Sequence, residues 1–317
     1  MNALPDDIPS LDLSDFVGGD PGRKKEFVAD LGHAFNTIGF VAVKNHGLEE
    51  KLREDLYDSV RRFFSLPEQV KRKYEFPHLF GQRGYVSKGK ETAKGFKVAD
   101  LKEFYHIGQP DPEENMPANI FPEEIPGFEE YTLEVYRTFE RTGKTLLRAI
   151  SLYLDLPEDY FGTRVANGDS ILRALHYFPI EDPDSVPEGA VRAAAHGDIN
   201  LITLLMGASA EGLEVLRRDG KWIPITALPD QIVVNVGDML DRLTNHKLKS
   251  TIHRVVNPPR EKMMTSRYSI PFFMHPRPDM DLSCLENCVT AGSPKLYTDM
   301  TAAGFLDERL RELGLKK

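Results

Sequence analysis

The sequence predicts an α+β protein, mainly β with helices, in which a jelly-roll barrel carries packed N-terminal helices. Two observations support this prediction. In the first half of the chain apolar residues recur at helical spacing, whereas after Asp169 they alternate along short segments separated by turn residues. Eight such segments with few helices between them are typical of a jelly-roll or double-sheet barrel. The chain of 317 residues is compatible with one large domain, so we expect the helices to form a layer on the barrel.

The N-terminal half contains three predicted helices and one predicted strand. Asp20 and Pro21 suit the N-cap and first position of a helix, and Gly143 is a weak point inside the last one. Residues 78–112 show no sustained period and are expected to form a long loop or lid. The predicted helices cover residues 21–37, 48–64 and 128–154, and the strand covers 39–45.

The C-terminal half contains the predicted strands of the barrel. Asp219-Gly220 between two of them indicates a type I′ hairpin, and Gly237-Asp238 after another indicates a turn with a structural role. The eight predicted strands cover residues 171–178, 192–198, 201–206, 213–218, 221–226, 231–236, 251–256 and 266–274.

Composition and charge exclude several classes of protein. The formal net charge of −9 argues against nucleic-acid binding, which uses a basic surface. We find no apolar run of roughly 18 residues and no leader at the start, so no membrane partner is expected. Cys284 and Cys288 have the spacing of neither a disulfide framework nor a zinc site, which favours reduced thiols and a cytoplasmic location. A monomer is expected.

The strongest candidate site combines His196, Asp198 and His253. The first two are separated by one residue on a predicted strand, so their side chains share one face of the sheet. Two imidazoles and one carboxylate that leave coordination positions open are typical of non-haem Fe(II) oxygenases. His246 is a competing third ligand, but it lies in a polar segment that reads as a turn, and we prefer His253.

Arg267 and Ser269 add a second element to this site. They share one face of the strand that follows His253 in the chain. An arginine fork with a neighbouring hydroxyl is suited to bind a carboxylate, because the guanidinium binds it through two hydrogen bonds and keeps its charge. These residues indicate an organic acid held close to the metal.

With these motifs in place, the chain resembles the isopenicillin N synthase-like branch of the Fe(II)/2-oxoglutarate-dependent oxygenases. The resemblance covers nearly the whole chain, and its motifs follow in family order. Two departures are Gly197, where a hydroxyl or small residue is more usual, and His246, where a glycine is common. The matching segments are residues 8–14, 39–47, 63–67, 73–74, 84–85, 100–103, 172–177, 196–198, 235–238, 253–255 and 267–269.

The resemblance implies a fold, a set of ligands and an organisation of the chain. The fold is a double-stranded β-helix over residues 166–280, preceded by an N-terminal helical region with short strands over 1–165 and followed by a tail and helix over 281–317. Fe(II), 2-oxoglutarate and O2 are the implied cofactors and co-substrates. The implied iron ligands are His196, Asp198 and His253; the implied contacts of the distal carboxylate of 2-oxoglutarate are Arg267, Ser269 and Tyr177; and the implied substrate contacts are Arg83, Tyr85 and Phe273.

The implied reaction is oxidation of a small organic substrate, most commonly its hydroxylation, with release of succinate and CO2. Desaturation and ring closure are alternative outcomes. An isopenicillin N synthase-type or aminocyclopropanecarboxylate oxidase-type enzyme would use the same residues without 2-oxoglutarate. A metal-binding sensor without turnover is the alternative outside enzymes.

The segment from Gln82 to Phe104 carries an excess of positive charge. Such a loop on an acidic protein is suited to steer an anionic substrate, although a solvated loop face explains the charge equally well. Its six cations are Arg83, Lys88, Lys90, Lys94, Lys97 and Lys102, and its three anions are Glu91, Asp100 and Glu103.

Overall fold

The computed structural model describes residues 7–91, 98–113, 116–187, 189–206, 211–225, 228 and 230–312. Twelve strands of these residues form two sheets. The strands are β1 (Ser10–Asp12), β2 (Phe40–Lys44), β3 (Gly84–Val86), β4 (Glu103–Ile107), β5 (Ile171–Tyr177), β6 (Ala193–His196), β7 (Ile202–Met206), β8 (Leu213–Leu216), β9 (Trp222–Pro224), β10 (Ile232–Val236), β11 (His253–Val255) and β12 (Arg267–Met274). The larger sheet has the order β1-β2-β10-β7-β12-β5-β4-β3, and the smaller has the order β6-β11-β8-β9.

Eight of these strands form the predicted jelly-roll. Strands β5, β7, β10 and β12 lie side by side in the larger sheet, and β6, β8, β9 and β11 make up the smaller one. Apolar side chains from both sheets pack together between them, among them Leu175, Val215 and Val233. All eight strands predicted after Asp169 are therefore confirmed, with ends that differ by a few residues.

Three long helices cover the outer side of the larger sheet, α2 (Pro21–Thr37), α3 (Glu50–Phe64) and α5 (Phe128–Tyr153). Asp20 caps α2 as predicted, because its carboxylate accepts the backbone N–H groups of Gly22 and Arg23. The apolar faces of these three helices join one large core with the outward side chains of the sheet. No helix of the described residues is long and apolar enough to cross a membrane. The helices are α1 (Leu13–Val17), α2 (Pro21–Thr37), α3 (Glu50–Phe64), α4 (Glu68–Lys71), α5 (Phe128–Tyr153), α6 (Gly162–Val165), α7 (Asp238–Leu243) and α8 (Ala302–Glu312).

Gly143, the predicted weak point of α5, lies where this helix meets the larger sheet. A Cβ atom at Gly143 would come within 2.5 Å of the Met274 sulfur on β12. The glycine therefore permits a close approach between helix and sheet, which offsets its low helix propensity.

The prediction of one long loop over residues 78–112 is wrong. This segment contains β3 and β4, which pair with each other and extend the larger sheet beyond β5. All five residues of β4 are buried, so the strand lacks the alternation by which a half-buried strand is recognised. With β1 and β2, the N-terminal region contributes four strands to the larger sheet and does more than pack on the barrel.

The hairpin at Asp219-Gly220 is confirmed, but its turn type is not. Arg217 and Lys221 close a three-residue loop, and the N–H of Gly220 donates to the carbonyl of Arg217. Gly220 has a φ of +85°, whereas the φ of Asp219 is not positive. This geometry is a type I turn followed by a left-handed glycine, because a type I′ turn needs positive φ at both central residues.

The segment Gly237-Asp238 begins a helix and does not form the predicted turn. Gly237 lies just before α7, and Asp238 is the first residue of that helix. The backbone N–H of Asp238 donates to the carbonyl of Asp198 at 2.7 Å. Helix α7 is thereby anchored to the segment that carries the candidate metal ligands.

Candidate metal centre and its cavity

The three candidate ligands converge at one end of the barrel. His196 ends β6 and is the register partner of His253 on the neighbouring β11, so their rings lie 4.5 Å apart. Oδ1 of Asp198 lies 3.9 Å from Nε2 of His196 and 3.7 Å from Nε2 of His253. One donor atom from each residue lies within 4.8 Å of the other two. Two nitrogen donors and one carboxylate oxygen at this spacing fit a divalent transition-metal ion.

Backbone carbonyls orient both imidazoles. Nδ1 of His196 lies 2.7 Å from the carbonyl oxygen of Ala194, and Nδ1 of His253 lies 3.2 Å from that of Thr251. Because a carbonyl only accepts, each Nδ1 carries the proton and each Nε2 presents its lone pair to the site. The rings are therefore held in the tautomer that a metal requires.

The two oxygens of Asp198 have different partners. Oδ2 accepts hydrogen bonds from Thr203 at 2.6 Å and from Asn235 at 2.8 Å, whereas Oδ1 faces the histidines. Thr203 and Asn235 are register partners on β7 and β10, so both side chains reach the same carboxylate. Sequence reasoning did not assign a role to Thr203 or Asn235, although Asn235 lies in one of the segments that carry the resemblance.

The protonation states of the ligands also suit a cation. Burial, together with the proximity of His253, lowers the pKa of His196 to about 4, so its imidazole is neutral at neutral pH. Burial alone would raise the pKa of Asp198, but the two histidines and its two hydrogen bonds lower it below its usual value. His196 and Asp198 thus have lone pairs available to a cation at neutral pH.

The structure separates His246 from this cluster and explains Gly197. His246 lies in a turn with a φ of +65°, and its Nδ1 is 3.0 Å from the carboxylate of Asp241. A Cβ atom at Gly197 would lie 3.0 Å from side-chain oxygens of both Asp238 and Ser250. A larger residue at position 197 would crowd these two side chains, which explains the glycine at this position.

Arg267, Ser269 and Tyr177 lie together on adjoining strands of the larger sheet. Arg267 on β12 is the register partner of Tyr177 on β5, and its guanidinium lies 4.9 Å from the centre of the tyrosine ring. The Nε of Arg267 donates to the carbonyl of Glu211. Arg267 is 1% exposed and Ser269 is 4% exposed. The barrel interior thus holds a cation, a serine hydroxyl and a tyrosine on neighbouring strands.

A cavity of about 750 Å³ opens beside the metal ligands, and all three predicted substrate contacts lie on its wall. Phe273 presents its ring to the guanidinium of Arg173 at 5.2 Å. Arg83 is buried, and its Nη1 donates to the backbone carbonyl of Gln82. The hydroxyl of Tyr85 instead donates to Glu103, which leaves only its ring on the cavity side.

Arg173 is a cavity residue to which the sequence assigned no role. Its guanidinium lies 4.3 Å from the centre of the Phe104 ring, and its Nε donates to Nε2 of His106 at 2.5 Å. Glu91 lies 3.4 Å from it and also pairs with Lys102. Burial would raise the pKa of Glu91, but these two cations hold it well below its usual range.

The predicted excess of positive charge is balanced by carboxylates at Lys102, one of the four cations of this segment that the structure describes. Lys102 pairs with Asp100 at 2.8 Å and with Glu91 at 2.6 Å. Lys88 lies over the ring of Phe178. Lys94 and Lys97 lie outside the described residues.

Comparison with known proteins gives concordant matches. Residues 8–124 match the family model called "non-haem dioxygenase in morphine synthesis N-terminal". Residues 168–276 match the model of the 2OG-Fe(II) oxygenase superfamily. A proline hydroxylase, buaE, of Petromyces alliaceus is 34% identical over 96% of this chain and 98% of its own.

Two solved structures are similar over almost their full length. A putative 2OG-Fe(II) oxygenase family protein from Caulobacter crescentus is 43% identical, with a TM-score of 0.86 over 96% of this chain and 98% of its own. A full-length Neurospora crassa protein, crystallised in complex with alpha-KG and thymine, is 32% identical, with a TM-score of 0.86 over 96% of both chains.

Proposed function

Because the chain belongs to the 2OG-Fe(II) oxygenase superfamily, we propose which of its residues carry the reaction and what kind of substrate it takes. The protein is a non-haem Fe(II)- and 2-oxoglutarate-dependent dioxygenase, an oxidoreductase that uses O2. On the order of its motifs we place it in the isopenicillin N synthase-like branch. The division at residues 165 and 280, a cytoplasmic location and a monomeric state stay predictions from the sequence.

His196, Asp198 and His253 hold the iron in this proposal. The observation that carries it is the convergence of both Nε2 atoms and Oδ1 of Asp198 on one point. Bound Fe(II) and 2-oxoglutarate supply the oxidation of a substrate C–H bond by O2, with release of succinate and CO2. The chain orients the donors through Ala194, Thr251, Thr203 and Asn235, so little reorganisation accompanies metal binding.

Arg267, Ser269 and Tyr177 hold the distal carboxylate of 2-oxoglutarate. A buried guanidinium with hydroxyl groups beside it compensates the loss of water around a carboxylate. The ring of Tyr177 beside the guanidinium favours its positive charge. These residues orient the co-substrate and exclude water from its far end.

The substrate is a small organic molecule that is hydroxylated in the cavity next to the metal. Phe273 offers an aromatic face, and Arg173 offers a donor for a hydrogen-bond acceptor of the substrate. The Neurospora relative binds thymine, a molecule of this kind. A formal negative charge on the substrate remains a prediction from the sequence. Glu91 already balances part of the positive charge that Arg173 and Lys102 bring to the cavity wall.

The test measures succinate release against O2 uptake, with Fe(II), 2-oxoglutarate and a panel of small substrates that includes thymine and proline. We expect one succinate per O2 with an accepted substrate. His253→Ala should abolish iron retention and turnover, whereas the control His246→Ala should leave both unchanged. Substrate-dependent O2 uptake without succinate, or loss of iron from the His246 variant only, would overturn the proposal.

A further inference from the structure

A second arginine lies buried beside the proposed carboxylate site. Arg192 directly precedes β6 and is 1% exposed, which makes it one of the largest fully buried side chains. Its Nη2 donates to the backbone carbonyl of Thr265 at 2.8 Å, two residues before Arg267. Its Nε is buried and has no acceptor among the described residues.

Arg192 and Arg267 are electrostatic neighbours. Burial, followed by the charge of Arg267, lowers the pKa of Arg192 to about 10, and Tyr177 acts in the opposite direction. The Arg192 guanidinium therefore remains protonated at neutral pH. The part of the chain that the structure describes places no carboxylate within salt-bridge distance, 4.0 Å, of Arg192.

Two adjacent buried cations repel each other and are costly to desolvate. A negatively charged ligand between them removes both costs and supplies the acceptor that Nε lacks. Arg192 lies directly before β6 of the smaller sheet and Arg267 lies on β12 of the larger one, so a ligand between them would be held from two sides.

We propose that Arg192 is a second cation for the distal carboxylate of 2-oxoglutarate and that the pair Arg192–Arg267 selects 2-oxo acids with such a carboxylate. This inference rests on the proposed function of Arg267. A 2-oxo acid of the same chain length without the distal carboxylate, 2-oxopentanoate, leaves the two charges uncompensated. The enzyme should therefore bind it much more weakly than 2-oxoglutarate.

The test is anaerobic titration calorimetry of the Fe(II)-loaded enzyme with 2-oxoglutarate and, separately, with 2-oxopentanoate. Arg192→Gln should raise the Kd for 2-oxoglutarate about 10- to 100-fold, which is the effect of one charged hydrogen bond. The Kd for 2-oxopentanoate should stay the same or fall, because one uncompensated charge is gone. Arg192→Lys, which keeps the charge, should lie between wild type and Arg192→Gln.

Arg242→Gln is the matched control. Arg242 is also buried, donates through Nη2 to a backbone carbonyl, that of Thr298, and has an Nε without an acceptor among the described residues. Its loss should lower thermal stability without changing either Kd. If folded Arg192→Gln binds 2-oxoglutarate as wild type does while Arg267→Gln does not, the inference fails and the proposed function stands. If neither variant changes the Kd, the proposed carboxylate site itself is wrong.

Discussion

At the scale of single residues, the sequence supplied the candidate ligands and the structure supplied what orients them. The spacing of His196 and Asp198 places them on one face, and His253 is preferred as the third ligand because it lies on another predicted strand. Thr203 and Asn235 were not recognisable in this way. Their contact with Asp198 depends on the pairing of β7 with β10, and a pairing register across distant segments leaves no local pattern in the sequence.

Thr203→Val should weaken Fe(II) binding about 10- to 100-fold. The substitution keeps the shape of the side chain but removes the hydroxyl that holds Oδ2 of Asp198, so the carboxylate turns more freely. Calorimetric titration with Fe(II) under anaerobic conditions measures the effect. Thr142→Val is the control, because this hydroxyl is also buried but donates to the carbonyl of His46. Equal metal affinity in wild type and Thr203→Val would show that the hydroxyl does not orient the ligand.

At the scale of elements, segments with a strong period were predicted well and β4 was missed. Strand β4 carries Glu103, whose carboxylate accepts hydrogen bonds from Lys71, Tyr85 and His176 in the interior. The sequence predicted a loop here because residues 78–112 hold several glycines and many lysines without a sustained period, and the partners of Glu103 are not visible in the sequence. Its partners come from α4, β3 and β5, and only the tertiary structure brings them together.

Glu103→Gln should destabilise the protein at neutral pH by about 2–3 kcal/mol, and the difference should shrink in acid. Burial alone would raise the pKa of Glu103, but its hydrogen bonds with His176, Lys71 and Tyr85 lower it to about 2. Because the folded-state pKa lies below the ordinary value of 4.5, the stabilisation is complete above that value and is lost as the pH falls towards 2. Urea unfolding at neutral and acidic pH measures the destabilisation and its decrease in acid.

The exposed Glu54 provides the control for this series, since Glu54→Gln should change stability little at either pH. A constant difference between wild type and Glu103→Gln from neutral pH to about pH 3 would contradict the assigned role of the carboxylate.

At the scale of the whole molecule, the predicted class and barrel are confirmed and the strand predicted over residues 39–45 is β2, while β1, β3, β4 and the position of α8 are not foreseeable from periodicity. Four short N-terminal strands extend the larger sheet, and α8 reaches back from the C-terminal region to the cavity. Leu306, Arg309 and Leu310 of α8 line the same cavity as His196. The sequence indicated a tail with a helix, but a helix pattern does not specify the surface on which the helix lies.

Leu310→Ala should raise the KM for the primary substrate about 3- to 10-fold and leave the Kd for 2-oxoglutarate unchanged. The substitution removes apolar surface from the cavity wall, worth about 1 kcal/mol of contact, at a distance from the carboxylate site. Steady-state kinetics and calorimetry measure the two effects. Leu296→Ala serves as the control, since Leu296 is exposed and is not part of the cavity wall. A matching rise in the Kd for 2-oxoglutarate would mean that α8 acts on the whole site.

The central claim is that one iron is bound where β6 and β11 meet, with 2-oxoglutarate extending from it to Arg267. Anomalous diffraction at the iron edge, from crystals grown anaerobically with Fe(II) and 2-oxoglutarate, tests it most directly. We expect a single iron peak bonded to Nε2 of His196, Oδ1 of Asp198 and Nε2 of His253, with the distal carboxylate of the co-substrate on Arg267. An iron peak elsewhere, such as at His246 and Asp241, or a co-substrate directed away from Arg267, would contradict the account.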